Sequence, residues 1–187
     1  ILHLRDDRRQ APSSINIAIC ALRFFFNFTL GKDYEVFQLL RANRPRSLPV
    51  VLSHGEVKAL LAAIRHPVRR MALTTIYALG LRISEGLELE TSHIDSARQM
   101  VWINGKGDAD RRVPLPRPLL RRLRYYWKCD RPASPKPLLF VSEKGTRIHN
   151  TTIEKTLTAA QQEVKIPRHA TVHTLRHSYA THLLEHG

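Results

Sequence analysis

Apolar and polar positions recur along this chain at two periods, and the places where the period changes divide it into elements. In SSINIAICALRFFFNFTLGKD, Ile15, Ile19, Leu22, Phe26 and Leu30 follow one another at helical spacing, which predicts a helix capped by Ser13 or Ser14 and ended by Gly31. The FFF run at 24–26 sits on that pattern and reads as core. A second helix is expected over 34–41. RANRPRSLPVVLS then shows two prolines, three arginines and no period, the mark of a basic linker. SHGEVKALLAAI restarts the helical pattern behind Ser53, with Glu56 three residues on as a capping box. VRRMALTTIYALG is a more apolar helix closed by Gly80, and a third begins at or just after Leu81 and covers RISEGLELE. The period next shortens to two in RQMVWIN and RRVPLP, strands joined by the turn GKGDAD, with a further strand at PLLFVS before a turn at Gly145. PLLRRLRYYWKC and NTTIEKTLTAAQQEVK return to helix, the second capped by Asn150 or Thr151, and a closing helix starts near Thr174. The fold class is therefore mainly α with a small three-stranded antiparallel sheet.

Composition narrows the partners. The chain has 187 residues, 43% of them hydrophobic, enough to build a core. Thirty Lys and Arg against sixteen Asp and Glu leave a net charge of +14, which favours a polyanion, usually nucleic acid. No apolar run reaches the length of a membrane span, the N-terminal ILHLRDDRRQ is charged where a signal peptide is apolar, and two cysteines give neither a disulfide framework nor a metal spacing. A cytoplasmic setting follows as the expectation. The first residue is not Met and the last lies on a helical pattern, so the chain reads as a piece of something longer.

Three short stretches carry chemistry. Arg82 follows Gly80-Leu81 at a helix start, where unpaired N–H groups and the positive dipole end suit a phosphate, and Glu85 one turn later is placed to hold its guanidinium. Alone, that pair is equally an ordinary surface ion pair. Lys106 lies between glycines in the GKG turn, where an ammonium group can reach a departing alkoxide, or simply be solvated. His173 and Arg176 stand at the mouth of the closing helix, a proton shuttle beside an anion clamp if Thr174 caps it. Two histidine pairs at i, i+4 (His173 with His177, His182 with His186) lack the carboxylate of a zinc-protease motif, so a metal is not expected.

Taken in order, Arg-x-x-Glu after a glycine, Gly-Lys-Gly in a β-turn and His-x-x-Arg opening a late helix resemble the tyrosine recombinase (phage integrase) family. The stretches ALGLRISEGLELE, INGKGDADRRVPLP and VHTLRHSYATHLLEHG carry the likeness. It implies the recombinase catalytic-domain fold over 53–187, the end of a helical core-binding domain over 1–45 and a linker at 46–52. It also implies site-specific breaking and rejoining of DNA through a 3′-phosphotyrosyl intermediate, without metal or cofactor. Arg82 and Arg176 would hold the phosphate, Lys106 would act as general acid, His173 would assist proton transfer and Glu85 would support the first arginine. Arg41, Arg44 and Arg46 would track the DNA backbone from the linker. In the family a His or Trp and the nucleophilic Tyr follow the His-x-x-Arg block, and none of Tyr34, Tyr77, Tyr125, Tyr126 and Tyr179 matches that nucleophile. The expectation is a parent recombinase that is tetrameric on paired DNA sites, and a fragment that is monomeric and inactive alone. The alternative is a truncated relative that only binds DNA. An RNA-binding helical domain, with FFF as stacking platform, is the remaining reading.

Overall fold

The computed structural model describes residues 3, 6, 8–32, 34, 49–104 and 110–185, distributed over two compact units, Ile1–Leu48 and Pro49–Gly187. The first unit holds helix α1, Pro12–Phe24. Its start is fixed by Pro12 rather than by a serine: proline at the first helical position forfeits an N–H that has no partner there, and Ser13 and Ser14 fall inside the first turn. Ile15 and Ile19 are buried as the stripe predicts, whereas Leu22 and Leu30 are exposed. A π-helical turn, Phe25–Thr29, follows α1, and its wider ring, closed by the Leu30 N–H to the Phe25 carbonyl, rotates Leu30 off the stripe. The FFF run is not core. Successive helical residues are turned by roughly 100°, so three in a row cannot share one face; Phe24 and Phe25 are exposed, and Phe24 stacks on Phe28 at 4.9 Å. The second helix expected over 34–41 lies, beyond Tyr34, outside the described residues, as do Arg41, Arg44 and Arg46 of the linker.

The second unit opens with α2, His54–Ala63, whose capping box is the one the sequence announces: Ser53 Oγ accepts from the Glu56 N–H and Glu56 Oε2 accepts from the Ser53 N–H. Helix α3, Pro67–Ala78, is the centre of the unit. It buries Val68, Met71, Ala72, Leu73, Thr74, Thr75 and Ile76, and its two threonine hydroxyls are satisfied within the helix, Thr74 on the Arg70 carbonyl at 2.7 Å and Thr75 on the Met71 carbonyl at 2.9 Å. That is how polar residues survive on a helix covered nearly all round. Packed against α3 are α2 and four further helices: α4, Ile83–Leu87; α5, Arg117–Cys129; α6, Asn150–Glu163; and α7, Val172–Glu185. Leu60, Leu73, Ile76, Leu81, Leu87 and Phe140 lie in the dry centre of this packing. Helix α5 buries Leu119, Leu120, Leu123 and Tyr126 and turns Arg121, Arg122 and Arg124 to solvent. Helix α6 begins one residue earlier than its expected cap, with His149 at the cap position and no side-chain hydrogen bond there.

The sheet is antiparallel and ordered β1-β2-β3, with β1 at Ile94–Asp95, β2 at Met100–Ile103 and β3 at Arg111–Pro114. Two strands are those expected; the third is not. Residues 137–142 form only isolated bridges, Leu138 to Glu90 and Val141 to Arg147, because Leu139, Phe140 and Val141 are all buried and leave no solvent face to alternate with. Register pairs Val101 with Val113, Trp102 with Arg112 and Ile103 with Arg111. Val101 and Ile103 are buried while Trp102 is exposed, so Arg111 shares the inward face and Arg112 the outward one, where its guanidinium lies 4.0 Å over the Trp102 ring. Among the described residues no helix is long and apolar enough to cross a membrane.

Candidate active site

Arg82 is the cap residue of α4. The turn before it depends on Gly80, whose φ of +58° is left-handed. The Tyr179 ring of α7 lies against this glycine so closely that a Cβ would come within 2.4 Å of its Cδ1. Gly80 thus brings α7 beside the start of α4, and with it the second half of the site. Leu81 and Leu87 are wholly buried on either side and anchor the short helix.

Glu85 is the hub. Its side chain is 6% exposed. It accepts the Arg82 backbone N–H at 2.8 Å and Arg82 Nη1 at 2.7 Å. From β3, Arg111 adds a two-pronged bond, Nη1 to Oε1 at 2.9 Å and Nη2 to Oε2 at 2.7 Å. From α7, Arg176 Nη1 approaches Oε2 at 3.6 Å; this nitrogen is buried and makes no hydrogen bond among the described residues. Burial alone would push the Glu85 carboxyl up, but the Arg111 fork and the two Arg82 bonds outweigh it and hold it at about 2. Three guanidiniums therefore converge on one ionised carboxylate.

His173 lies on α7 one turn before Arg176. The helix starts three residues earlier than a Thr174 cap would place it: Thr171 Oγ1 accepts from the Thr174 N–H, and Thr174 Oγ1 accepts in return from the Thr171 N–H. His173 and Arg176 are thus both inside the helix rather than across its mouth, with the buried Leu175 between them. Helix α7 is pinned to the strand-like segment before α2 by Ser178, which accepts the Leu52 N–H at 2.9 Å and donates to the Thr174 carbonyl at 2.9 Å. Partial burial and then the neighbouring charges of His177, Arg176 and Arg82 push the His173 ring below the ordinary histidine value, so it stays neutral and able to take a proton near pH 7. Burial and Arg82 likewise lower Arg176, against the opposing pull of Glu85. Three guanidiniums around a single carboxylate leave an excess of positive charge, which favours an anion.

Of the residues singled out by sequence, Arg82, Glu85, His173 and Arg176 come together here; Lys106 is among 105–109, outside the described residues. Arg111 was missed. Its signal was available in the alternation of RRVP, which sets Arg111 on the same face as Val113, but an inward arginine on a four-residue strand declares no partner. The His173 and His177 rings meet edge to face at 4.3 Å, and His182 Nδ1 is 2.8 Å from the Tyr77 hydroxyl, while His186 lies outside the described residues. Among the described residues no three His, Cys, Asp or Glu side chains gather as metal ligands.

The profile of the phage integrase family matches residues 50–187. A Sinorhizobium fredii relative carrying the name integrase/recombinase y4qK is 40% identical over 189 residues, across 100% of this chain and 60% of its own. The tyrosine recombinase XerA of Thermococcus kodakarensis is 35% identical across 100% of this chain and 66% of its own. Among solved structures, the XerH site-specific recombinase bound to palindromic difH substrate aligns with 75% of this chain and 43% of its own, at a TM-score of 0.64 and 26% identity. The chain thus spans 60% and 66% of the two sequence relatives.

Proposed function

Because this chain belongs to the phage integrase family, we propose that the protein containing it is a site-specific DNA recombinase, and that the Arg82–Glu85–His173–Arg176 cluster binds the scissile phosphate. One observation carries the reading: two arginines 94 residues apart in sequence meet on a single buried carboxylate, and one of them keeps a buried nitrogen without a hydrogen bond among the described residues. A phosphodiester oxygen is the acceptor that such a pair of guanidiniums suits.

The chemistry follows from charge. A tyrosine oxygen attacks the phosphorus, a bond to the 5′-oxygen breaks, and a 3′-phosphotyrosyl ester remains; one phosphodiester replaces another, so no external energy source is needed. Negative charge gathers on the non-bridging oxygens in the transition state, where Arg82 and Arg176 oppose it. The 5′-oxygen leaves as a hydroxyl once protonated, the part given to Lys106, and neutral His173 relays a proton. A second strand's 5′-hydroxyl then reverses the step. None of this chain's tyrosines is the attacking one on this reading, and the engaged positions of three of them support it: Tyr126 is buried with its hydroxyl donating to the Leu139 carbonyl, Tyr77 is engaged with His54 and His182, and Tyr179 lies over Gly80. On this reading residues 1–45 end a core-binding domain joined through 46–52 to a catalytic domain, Arg41, Arg44 and Arg46 track DNA phosphates, and the parent works as a tetramer on paired duplex sites while this chain alone is a monomer.

The test is covalent trapping. The full-length protein on a nicked duplex that prevents religation should give a protein–DNA adduct. Arg82→Ala and Arg176→Ala should each lower adduct formation by about 10²–10³-fold while weakening DNA binding far less. The 187-residue chain alone should bind the same duplex, lose affinity steeply with salt and give no adduct. Binding by the full-length protein with no adduct would instead favour a DNA-binding relative without catalysis, and an adduct with the short chain would overturn the assignment of the nucleophile.

A further inference from the structure

Glu85 carries one negative charge among three guanidiniums, and they do not share it equally. Arg111 takes both oxygens in a fork at 2.9 and 2.7 Å, Arg82 takes one oxygen with one side-chain nitrogen at 2.7 Å, and Arg176 stands off at 3.6 Å. The geometry of a fork is the strongest way to satisfy a carboxylate. Arg111 is therefore the counter-ion of Glu85, and its hydrogen bonds to that carboxylate raise its own pKa.

Resting on the recombinase reading, we propose that Arg111 is a positioning residue of the phosphate site: by occupying Glu85 it stops that carboxylate from closing on Arg176, and it fixes the oxygen that aims Arg82. The strand explains why it can. Arg111 opens β3 opposite Ile103 on the inward face, so the pleat directs its side chain to the start of α4 with no freedom to choose the solvent side. Charge explains why it matters. Three guanidiniums against one carboxylate leave a formal +2 for the phosphate; without Arg111 two against one leave +1, and the freed carboxylate can draw toward the nitrogen of Arg176 that makes no hydrogen bond among the described residues. A phosphate arriving there would meet an anion where it now meets a cation. Arg111 itself faces Glu85 and touches neither the reacting atoms nor their leaving group.

Single-turnover adduct formation by the full-length protein at saturating nicked DNA tests this, because it separates the rate constant from the amplitude. Arg111→Met should lower the rate constant by about 10–100-fold, with the amplitude retained and the DNA dissociation constant within about threefold of wild type. The double variant Arg111→Met/Glu85→Gln restores +2 and leaves an amide oxygen to accept from Arg82, so it should recover about tenfold of that loss. A merely structural salt bridge predicts the opposite pattern: a lower amplitude at an unchanged rate constant, and no recovery on removing the second partner. Either of those results overturns the proposal. If Arg111→Met does not fold, Arg111→Lys, which keeps the charge but not the fork, serves in its place: a rate constant reduced severalfold supports the proposal, and a wild-type rate constant overturns it. A wild-type protein that forms no adduct overturns the recombinase reading itself, whereas a wild-type adduct with an unaltered Arg111→Met rate removes this inference alone.

Discussion

Gly80 shows how far a single residue reaches in this fold. Its left-handed φ and the Tyr179 ring packed on its bare Cα both forbid a side chain, so Gly80→Ala meets backbone strain and a clash at once and should cost about 2–4 kcal/mol. Urea unfolding of the chain measures it, and a loss under 1 kcal/mol would mean that α7 can step back from the turn freely. Gly80 was legible in sequence only as a helix stop; that it also seats an aromatic ring from a helix about a hundred residues later was not. Glu85 is similar. Its pairing with Arg82 could be read from the three-residue spacing, because neighbours one helical turn apart must meet. Its pairing with Arg111 and Arg176 could not, because those arginines reach it from a strand and a helix whose places are set by packing.

At the scale of elements, local signals succeeded where the deciding contact is itself local. Ser53 and Glu56 announce the start of α2 because a capping box closes within four residues. At the start of α7, TVHT offers two threonines, and each bonds to the other's backbone N–H, so the helix begins after the first of them. Thr171→Ala should therefore destabilise the unit by about 1 kcal/mol and loosen the turn bearing His173, seen as faster amide exchange at the first residues of α7. An equal effect from Thr174→Val with none from Thr171→Ala would return the cap to Thr174. Strand prediction failed for a physical reason: Ile94–Asp95 is too short to display a period, while Leu139, Phe140 and Val141 are buried in succession and owe their apolar character to the core rather than to a ladder.

For the whole molecule, acid is the sharpest probe, because the charged contacts that join distant elements rest on ionised carboxylates. Glu85 joins α4 to β3 and α7. Glu56, held below its ordinary value by the Ser53 N–H and by Arg168, joins α2 to the segment before α7. Their folded carboxyls bind protons less readily than the unfolded chain does, so their stabilisation is complete above about pH 4.5 and is lost as pH falls through their lowered values, about 2 for Glu85. His173 acts in the same direction at higher pH, since its lowered value makes the unfolded state take up the proton first as pH drops below 6.5. Stability from urea unfolding should thus fall steadily from pH 7 to pH 3, and Glu85→Gln, though less stable at pH 7, should flatten the lower part of that curve; parallel curves would deny Glu85 its low value. The sequence by itself determined the helical class, the cap of α2, the basic character and the pairing of Arg82 with Glu85, because each is set by composition or by spacing within one turn. Only the tertiary structure decided that Arg111 belongs with them, which strand completes the sheet and where His173 stands in its helix, because these depend on which faces of separate elements the buried core brings together.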